Sequence, residues 1–451
     1  MSETLVIDGA HVVTVGGEEY PGGHVTLRDG RITSVGPGPG PLPPGARRID
    51  AAGCVVTPGL INTHHHLYQW ATQGLFAEGT LFEWLTGSYE IWHRLDADVV
   101  AGTTTAGTAW LALSGCTTVS DHHYIFPRGR GDIVAAEVEA ARAVGVRLDL
   151  ARGSMDRGRS SGGLPPDSVV ETLEEALRAT QAAIETHHDP AADALTRVAV
   201  APCSPFSVSR ELMVEAAQLA RAMGVRLHTH LAETLDEEER CLAEFGCTPV
   251  EYAEKLGWLG PDVWFAHAVH LSDAAIARIA ATGTGVAHCP TSNARLGAGI
   301  CRVTELLAAG AAVGLGVDGP ASSELTPLSG EMHQAILMAR ARKGPQALDA
   351  RRALEMATLG GARLLGRDAE LGSLEVGKLA DIAVWRIDGF GYDVIDDPVV
   401  ALTFGPPPPL ELLLVGGRPL VERGELRTVS ADSAAASGRA AHRKLLQEVS
   451  R

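Results

Sequence analysis

Histidine and carboxylate side chains stand at the ends of several short, largely apolar segments of this chain. His64 and His66 close one such segment and His230 closes another, while Asp318 follows residues 312–317, which are only Ala, Val, Gly and Leu. Two imidazoles two positions apart on a strand lie on the same face and can bind one cation. The pattern therefore predicts a divalent-metal site with His64, His66, His230 and Asp318 as ligands.

Two carboxylates are associated with this set. A carboxylate that ends a buried apolar strand is costly to bury without a cation or hydrogen-bond donors, which favours a ligand role for Asp318 over a loop cap. Glu233 follows His230 by three residues, where its carboxylate can reach over a metal, although an acid at a helix N-terminus also fits. His267 ends a further apolar segment and can hydrogen-bond an oxygen at the metal.

The other histidines near these segments have less certain roles. His65 would point away from the face that its two neighbours share, and His228 would lie one layer deeper than the ligands as a hydrogen-bonded core residue. His122 and His123 are as well suited to shaping the pocket as to touching substrate. His288 is expected to contact the residues of the site without touching the metal or the substrate itself.

The apolar segments alternate with helix-like stretches, which is typical of parallel βα units. Eight parallel strands close a β/α barrel, and all their C-terminal ends then face one side. The sequence therefore predicts an α/β fold with a (β/α)8 TIM-type barrel over residues 58–371. The predicted strands are 54–63, 115–121, 146–152, 197–203, 225–231, 263–268, 284–289 and 312–318.

The segment 152–166 follows the third predicted strand on the side of the candidate site. It is rich in Gly, Ser and Pro. Such a segment is either a mobile lid or a plain long connection.

Both ends of the chain read as β-structure. An alternating pattern around Asp29-Gly30 indicates a hairpin, and the segment 380–385 reads as a strand near the other end. Neither end has enough strands for a stable sheet by itself. We therefore expect residues 1–57 and 372–451 to combine into one small β-sandwich domain, with a peripheral helix over the last twenty residues.

Composition excludes several classes of function. The formal net charge is −17 and no basic cluster occurs, so nucleic-acid binding is not expected, because phosphate contacts need concentrated Lys and Arg. The seven cysteines form no Cys-x-x-Cys motif, a pattern typical of reduced thiols in the cytoplasm. No apolar run approaches the ~18 residues of a membrane span, and no signal peptide is evident. We expect a cytoplasmic protein.

The motifs together resemble the amidohydrolase superfamily, and within it the mononuclear branch that deaminates purines and other cyclic amidines. The likeness extends from the opening hairpins through the His-x-His, His-x-x-Glu, Ala-His and Asp-Gly motifs to the segment 377–382. It implies a distorted barrel with a composite β-sandwich. This is the same architecture that the strand pattern predicts.

The resemblance also implies roles for individual residues. Glu233 would be the proton shuttle, and His267 would contact the hydrolytic water or the substrate. Asp318 would take the water's proton as well as binding the metal. The implied metal ligands are His64, His66, His230 and Asp318.

The residues at the end of the fourth predicted barrel strand indicate how many metal ions to expect. Binuclear relatives bridge two metals with a carboxylated lysine at its end, but residues 197–203 contain no lysine. One divalent ion per chain is therefore expected, most simply Zn²⁺, with Fe²⁺ as the alternative. A second class of zinc deaminases uses His-x-Glu with Pro-Cys-x-x-Cys on another fold, and neither pattern occurs in this chain.

The substrate contacts are suggested by a closer likeness to the 8-oxoguanine deaminase group. Gln69 occupies the position of a purine-recognising glutamine in guanine deaminases, although a polar residue that enters a helix also fits. Cys203 stands where relatives place a substrate contact. Trp84 and Trp92 can stack on a flat heterocycle or belong to the core. The loop 318–324, Asp-Gly-Pro-Ala-Ser-Ser-Glu, differs in size and charge from the usual Asp-Gly-Ser-Ala-Ser-Asn-Asp.

These expectations combine into a metal-dependent hydrolytic deaminase of an aromatic amidine or purine, with 8-oxoguanine, converted to urate and ammonia, as the favoured substrate. The small heterocyclic substrate is the main expected partner, and relatives suggest a homo-oligomer. One alternative is an s-triazine or other heterocycle aminohydrolase or chlorohydrolase of the same superfamily. The other is a non-catalytic scaffold, against which the full set of ligand positions argues.

Overall fold

A computed structural model of the protein describes residues 4–324 and 327–449. Within these residues the strands form an eight-stranded and a nine-stranded sheet. In chain order the strands are β1 (Thr4–Val13), β2 (Glu19–Arg28), β3 (Arg31–Gly36), β4 (Arg47–Asp50), β5 (Cys54–Pro58), β6 (Leu60–His65), β7 (Cys116–His123), β8 (Arg147–Ser154), β9 (Thr196–Pro202), β10 (Leu227–Leu231), β11 (Val263–His267), β12 (Gly285–His288), β13 (Ala312–Leu315), β14 (Ile382–Arg386), β15 (Leu410–Val415), β16 (Arg418–Glu422) and β17 (Glu425–Leu426).

Helices connect most of these strands. They are α1 (Leu81–Trp92), α2 (Ala97–Leu113), α3 (Ile133–Val144), α4 (Leu173–His187), α5 (Arg210–Met223), α6 (Leu235–Phe245), α7 (Pro249–Lys255), α8 (Asp273–Thr282), α9 (Pro290–Arg295), α10 (Val303–Ala308), α11 (Pro320–Ser323), α12 (Leu328–Lys343), α13 (Ala350–Glu355), α14 (Gly361–Leu364), α15 (Pro398–Phe404) and α16 (Ala431–Val449). Short 3₁₀ or π turns span Leu67–Thr72, Arg159–Ser161 and Met356–Gly360.

The eight-stranded sheet is the predicted barrel. Strands β6 to β13 lie side by side in chain order and pair in parallel. A bridge between His65 and Asp318 joins the first barrel strand to the segment after the last. The Asp318 amide donates to the His64 carbonyl oxygen at 3.0 Å, and Thr63 Oγ1 donates to the Leu315 carbonyl oxygen at 2.8 Å. The predicted (β/α)8 fold is confirmed, and the barrel closes beside the candidate metal ligands.

The predicted strand 54–63 is in fact two strands that belong to different sheets. β5 pairs with β1 and β14 of the small sheet, whereas β6 pairs with β7 of the barrel. Gly59 separates them, and a Cβ atom at this position would lie only 2.3 Å from Thr117 Cγ2. The apolar pattern alone did not reveal this change of sheet, because it shows which residues are buried and not which strand they pair with.

The nine-stranded sheet combines both ends of the chain. Its order is β17-β16-β15-β14-β5-β1-β2-β3, with β4 paired to β1. The antiparallel pair of β14 and β5 joins the C-terminal strands to the N-terminal ones. Ile7, Val25, Val56, Ile382 and Leu412 belong to one buried apolar cluster of this domain. The prediction that the two ends build one β-domain is confirmed.

Two peripheral segments were also singled out by the sequence. The predicted terminal helix is α16, which packs on α2 and is tied to it by ion pairs from Lys444 to Asp96 (2.7 Å) and Asp98 (2.8 Å). The segment 152–166 begins as the buried end of β8 and becomes exposed only around its one short turn, at residues 159–162. A lid function for it stays a prediction. Among the described helices, none is long and apolar enough to cross a lipid bilayer.

A buried ion pair fastens the two sheets together. Arg147 at the start of β8 contacts both carboxylate oxygens of Asp381, just before β14, at 2.8 and 2.9 Å. Both side chains are almost fully buried, and Arg147 also donates to the carbonyl oxygens of Asp193 and Ala194. The amide of Gly416 donates to the same carboxylate at 2.7 Å. The hydrogen bonds described for Arg147 and Asp381 are thus made to other groups of the protein, which compensates for the burial of both charges.

We predict that Asp381→Asn lowers the free energy of unfolding by about 3–5 kcal/mol, because it leaves the buried guanidinium of Arg147 without its counter-charge. The measurement is urea denaturation followed by circular dichroism. As a control, Asp262→Asn removes one partner of the exposed pair with Arg221 and should cost about 0–1 kcal/mol. Equal losses in the two variants would contradict the prediction.

Candidate active site

Four predicted side chains converge at the C-terminal end of the barrel. His66 Nε2 lies 3.2 Å from His230 Nε2 and 3.2 Å from Asp318 Oδ1, and His64 Nε2 lies 3.5 Å from the same carboxylate oxygen. His64 lies in β6 and His66 directly follows it, while His230 lies in β10 and Asp318 follows β13. All four are buried. The structure thus brings together every residue that the sequence proposed as a metal ligand.

The other ring nitrogen of each of these imidazoles is already occupied. His66 Nδ1 donates to the carbonyl oxygen of His122 at 2.6 Å, and His230 Nδ1 donates to that of Cys203 at 2.7 Å. His64 Nδ1 lies 2.8 Å from His228 Nε2. A histidine whose Nδ1 hydrogen is held by a carbonyl presents the lone pair of Nε2, as metal-binding histidines usually do.

His228 determines the tautomer of His64. Its Nδ1 donates to the carbonyl oxygen of Trp264 at 2.9 Å, so its Nε2 is left as an acceptor for the hydrogen on His64 Nδ1. Burial lowers the pKa of His228 to about 3, which keeps this ring neutral. His228 is therefore the hydrogen-bonded core histidine that the sequence suggested, and it aims the Nε2 lone pair of His64 at the site.

The donor set fits a divalent cation. His64 Nε2 is buried and has no hydrogen-bond partner among the described residues. Burial lowers the pKa of His64 and of His230 well below the usual value, so both rings are neutral. Burial would raise the pKa of Asp318, but its contacts with His64 and His66 hold that pKa well below its usual range. Neutral imidazoles with an ionised carboxylate are the ligands that Zn²⁺ and similar ions take.

Asp318 and His267 are held in an unusual backbone conformation. Their φ angles are +64° and +71°, in the left-handed region that residues other than glycine seldom adopt. The Asp318 carboxylate accepts hydrogen bonds from Ser292 Oγ (2.5 Å), Ser322 Oγ (3.1 Å) and the Gly319 amide (2.7 Å). These contacts fix the carboxylate and offset part of the cost of the backbone strain.

Glu233 and His267 lie on the open side of this group. His267 Nε2 is 3.7 Å from Glu233 Oε2 and 4.0 Å from Asp318 Oδ2. His267 Nδ1 is 2.9 Å from Asn293 Oδ1, which sets the orientation of the ring. Burial, and then the neighbouring Asp318 carboxylate, raises the pKa of Glu233 to about 8. Glu233 is therefore a carboxylic acid able to give up a proton near neutral pH.

A small cavity of about 30 Å³ borders this group of side chains. Gln69, Trp84 and Cys203 line it, as does Glu233. Both amide atoms of Gln69 are buried and have no hydrogen-bond partner in the described part of the chain, so they are available to a ligand. Trp84 donates through Nε1 to the Ala321 carbonyl oxygen at 3.1 Å, which ties α1 to the loop after β13. Trp92, the other predicted stacking residue, is buried in the core and does not line the cavity.

Some residues of the site were not found from the sequence. Ser292 and Asn293 of α9 hold Asp318 and His267, and Tyr124 lines the cavity. Ser292 and Asn293 lie in the short helix that begins two residues after β12 ends, so their position near a strand end was an available signal. Their hydrogen-bond partners come from other strands, which no local pattern reveals.

A separate group of ligand-type side chains lies nearby. Asp121, His123 and Glu137 place their ligand atoms within 4.8 Å of one another. His123 Nδ1 is 3.0 Å from Glu137 Oε2, and Asp121 Oδ1 accepts a hydrogen bond from the Leu67 amide at 2.5 Å. His65 Nδ1 is 3.7 Å from Asp121 Oδ1, in keeping with its expected structural role. This group supports the turn that follows His66.

His122 and His288 were the remaining uncertain histidines. His122 stacks on His230 with ring centroids 4.8 Å apart, and its Nε2 donates to the carbonyl oxygen of Ala201 at 2.8 Å. It therefore shapes the wall of the site. His288 is buried at the end of β12 and does not line the cavity, as expected for a residue behind the site.

Comparison with known proteins identifies the family. Residues 55–408 match the amidohydrolase family. The chain is 41% identical to the 8-oxoguanine deaminase of Pseudomonas aeruginosa over 99% of this chain and 100% of that protein. It is 37% identical to an isoxanthopterin deaminase from an unknown prokaryotic organism, over 90% of this chain and 89% of the relative.

A solved structure supports the same assignment. The atrazine chlorohydrolase of Arthrobacter aurescens, determined in complex with zinc, superposes with a TM-score of 0.92 at 33% identity and covers 97% of this chain and 100% of its own. The match to the family spans most of the chain, and the relatives are covered almost completely. This protein belongs to the amidohydrolase family.

Proposed function

We propose that this protein is a metal-dependent hydrolytic deaminase of a purine-like cyclic amidine, with 8-oxoguanine as its favoured substrate and urate and ammonia as products. The observation that carries the proposal is Glu233, a buried acid with a pKa of about 8 that lies 3.7 Å from His267 beside the ligand group. A site that only holds a cation has no need of such an acid. The 41% identity to an 8-oxoguanine deaminase along the whole chain supports the choice of substrate.

The residues that would hold the metal are His64, His66, His230 and Asp318. A divalent cation with these ligands lowers the pKa of a water molecule so that hydroxide is available near neutral pH. Zn²⁺ is the ion that we propose, because three imidazoles with one carboxylate suit it and a related enzyme was solved with zinc. Fe²⁺ is the alternative, and metal analysis decides between them.

The protein's own groups would move the protons. Asp318 accepts a proton from the attacking water as the water oxygen bonds to the amino-bearing carbon of the ring. Glu233 donates its proton to the adjacent ring nitrogen, so the ring nitrogen does not have to carry a negative charge. The proton taken from water is then passed from Asp318 to the amino group, the C–N bond breaks, and ammonia leaves. The hydroxyl group left on the same carbon gives its proton to Glu233 and becomes the carbonyl of the product, which restores both carboxyl groups. His267 Nε2 lies between the two carboxylates, where it can contact the attacking water or the substrate.

The cavity favours a small neutral heterocycle. Among the described residues that line it, the only carboxylates are Glu233 and Asp318, and no Lys or Arg is present. A substrate with a phosphate or carboxylate group would find no counter-charge there. Gln69 offers an amide donor and an amide acceptor to the edge of a ring, and the apolar side chains of Leu81, Leu85 and Phe206 line the same cavity.

Triazine chemistry is the second candidate. It is supported by the superposition on the atrazine chlorohydrolase, which covers 97% of this chain. The acid Glu233 and the unpaired amide of Gln69 favour deamination of a purine-like ring.

We further propose that the protein is a cytoplasmic homo-oligomer. All seven cysteines are free and buried, which suits a reducing compartment. Phe390 and Val394 are almost fully exposed on one loop, and association with a second copy would remove these apolar side chains from water.

We predict that 8-oxoguanine gives the highest kcat/KM in a panel with guanine, isoxanthopterin, cytosine and hydroxytriazines, because the site pairs an acid with a purine-recognising amide. Release of ammonia is measured with a coupled assay. Chloride release from a chlorotriazine is measured in parallel. A higher kcat/KM for any triazine than for every purine or pterin would overturn the substrate assignment.

We predict that His230→Ala loses most of the bound metal, because one of three imidazole ligands is removed. Metal content per chain is measured by mass spectrometry after purification without added metal, and it also identifies zinc or iron. His187→Ala, at the end of α4 and remote from the site, is the control and should keep one ion per chain. Full metal content in His230→Ala would exclude His230 as a ligand.

We predict that Glu233→Gln keeps its metal but loses about 10²–10⁴-fold in kcat, because glutamine cannot supply the proton. The measurement combines ammonia release with metal content on the same sample. Glu239→Gln, an exposed change on α6, should leave the rate unchanged. Near-normal turnover in Glu233→Gln would show that another group is the acid.

A further inference from the structure

Glu237 makes an unusual contact with the backbone of the candidate acid. It lies in the first turn of α6 and its side chain is buried. Its Oε1 accepts a hydrogen bond from the Ala232 amide and its Oε2 accepts one from the Glu233 amide, each at 2.9 Å. One carboxylate thus binds two consecutive amides, the second of which belongs to Glu233 itself.

The segment that donates these hydrogen bonds is conformationally strained. Ala232 has a φ angle of +54°, which a residue with a Cβ atom rarely adopts. This bend takes the chain out of β10 and turns Glu233 back over the barrel mouth. The Ala232 carbonyl oxygen accepts hydrogen bonds from the amides of Val269 (2.9 Å) and His270 (3.0 Å), in the loop that follows His267. The bend is therefore held by Glu237 through its amides and by the loop after His267 through the Ala232 carbonyl oxygen.

The two amides are the hydrogen-bond partners that the described residues offer to the Glu237 carboxylate, and no described cation forms an ion pair with it. Burying a carboxylate in this way is costly unless its oxygens are satisfied, so the arrangement depends on the bend remaining in place. A glutamine at this position has one acceptor oxygen and would set its NH₂ group against one of the amides. The contact is thus specific to a carboxylate of this length.

We propose that Glu237 is a positioning residue that fixes the backbone of Glu233 so that its carboxyl group faces His267 and the substrate cavity. The proposal rests on the proposed function, in that Glu233 is the acid being positioned. A catalytic group displaced by about 1 Å can lose about 100-fold in rate, which gives the scale of the effect.

The test compares Glu237→Gln with wild-type protein in kcat, KM and metal content. We expect a roughly 10- to 100-fold fall in kcat with KM and metal content close to wild type, because the ligands and the cavity walls are not touched. Two matched controls separate positioning from general damage. Glu239→Gln makes the same change on the exposed side of α6, and Asp149→Asn removes another buried carboxylate, on β8, which lines neither the cavity nor the ligand group.

A double variant tests whether Glu237 acts through Glu233. Once Glu233→Gln has removed the acid, adding Glu237→Gln should cost little more, whereas independent effects would multiply. Multiplying effects, or a kcat for Glu237→Gln equal to wild type, would overturn the proposal. If no ammonia is released by wild-type protein from any panel substrate, the proposed function fails instead.

Hydrogen exchange provides a readout that needs no variant. The amides of Ala232 and Glu233 should exchange slowly in wild-type protein, because both donate to a buried carboxylate. Fast exchange at these two amides, with slow exchange in the neighbouring strand β10, would overturn the proposal even if Glu237→Gln does not fold.

Discussion

The site depends on one constraint, namely that each imidazole presents Nε2 because its Nδ1 is already bound. His66 and His230 are held by carbonyl oxygens of neighbouring strands, and His64 is held by His228, which is in turn held by Trp264. A histidine free to rotate or to exchange tautomers would lose much of its value as a ligand. The barrel supplies the fixed carbonyls, so the proposed metal chemistry depends on the order of the strands.

The contacts that close the barrel also bring the residues of the candidate site together. The first barrel strand and the segment after the last one meet through a bridge between His65 and Asp318, next to the proposed ligands His64 and His66. A local change at this seam would disturb both the fold and the metal ligands. The strained backbone of Asp318 is tolerated because the seam, Ser292 and Ser322 hold it in place.

The sequence predicted the fold, and it predicted which four side chains converge at the end of the barrel, because both follow from local patterns. Apolar segments with polar ends marked the eight barrel strands, and parallel strands bring their ends together. The change of sheet at Gly59 was missed because both strands are equally apolar. Ser292 and Asn293 were missed because their hydrogen-bond partners lie on other strands. Stacking by Trp92 was left open in the sequence, and the structure places that side chain in the core.

The central claim is that one divalent cation is bound by three imidazoles and one carboxylate at the end of the barrel. Anomalous X-ray diffraction from crystals of the purified protein, collected on both sides of the zinc absorption edge, tests it most directly. The account predicts a single peak per chain, enclosed by the Nε2 atoms of His64, His66 and His230 and by Asp318 Oδ1. A peak between Asp121, His123 and Glu137 instead, or no peak at any transition-metal edge in active protein, would contradict it.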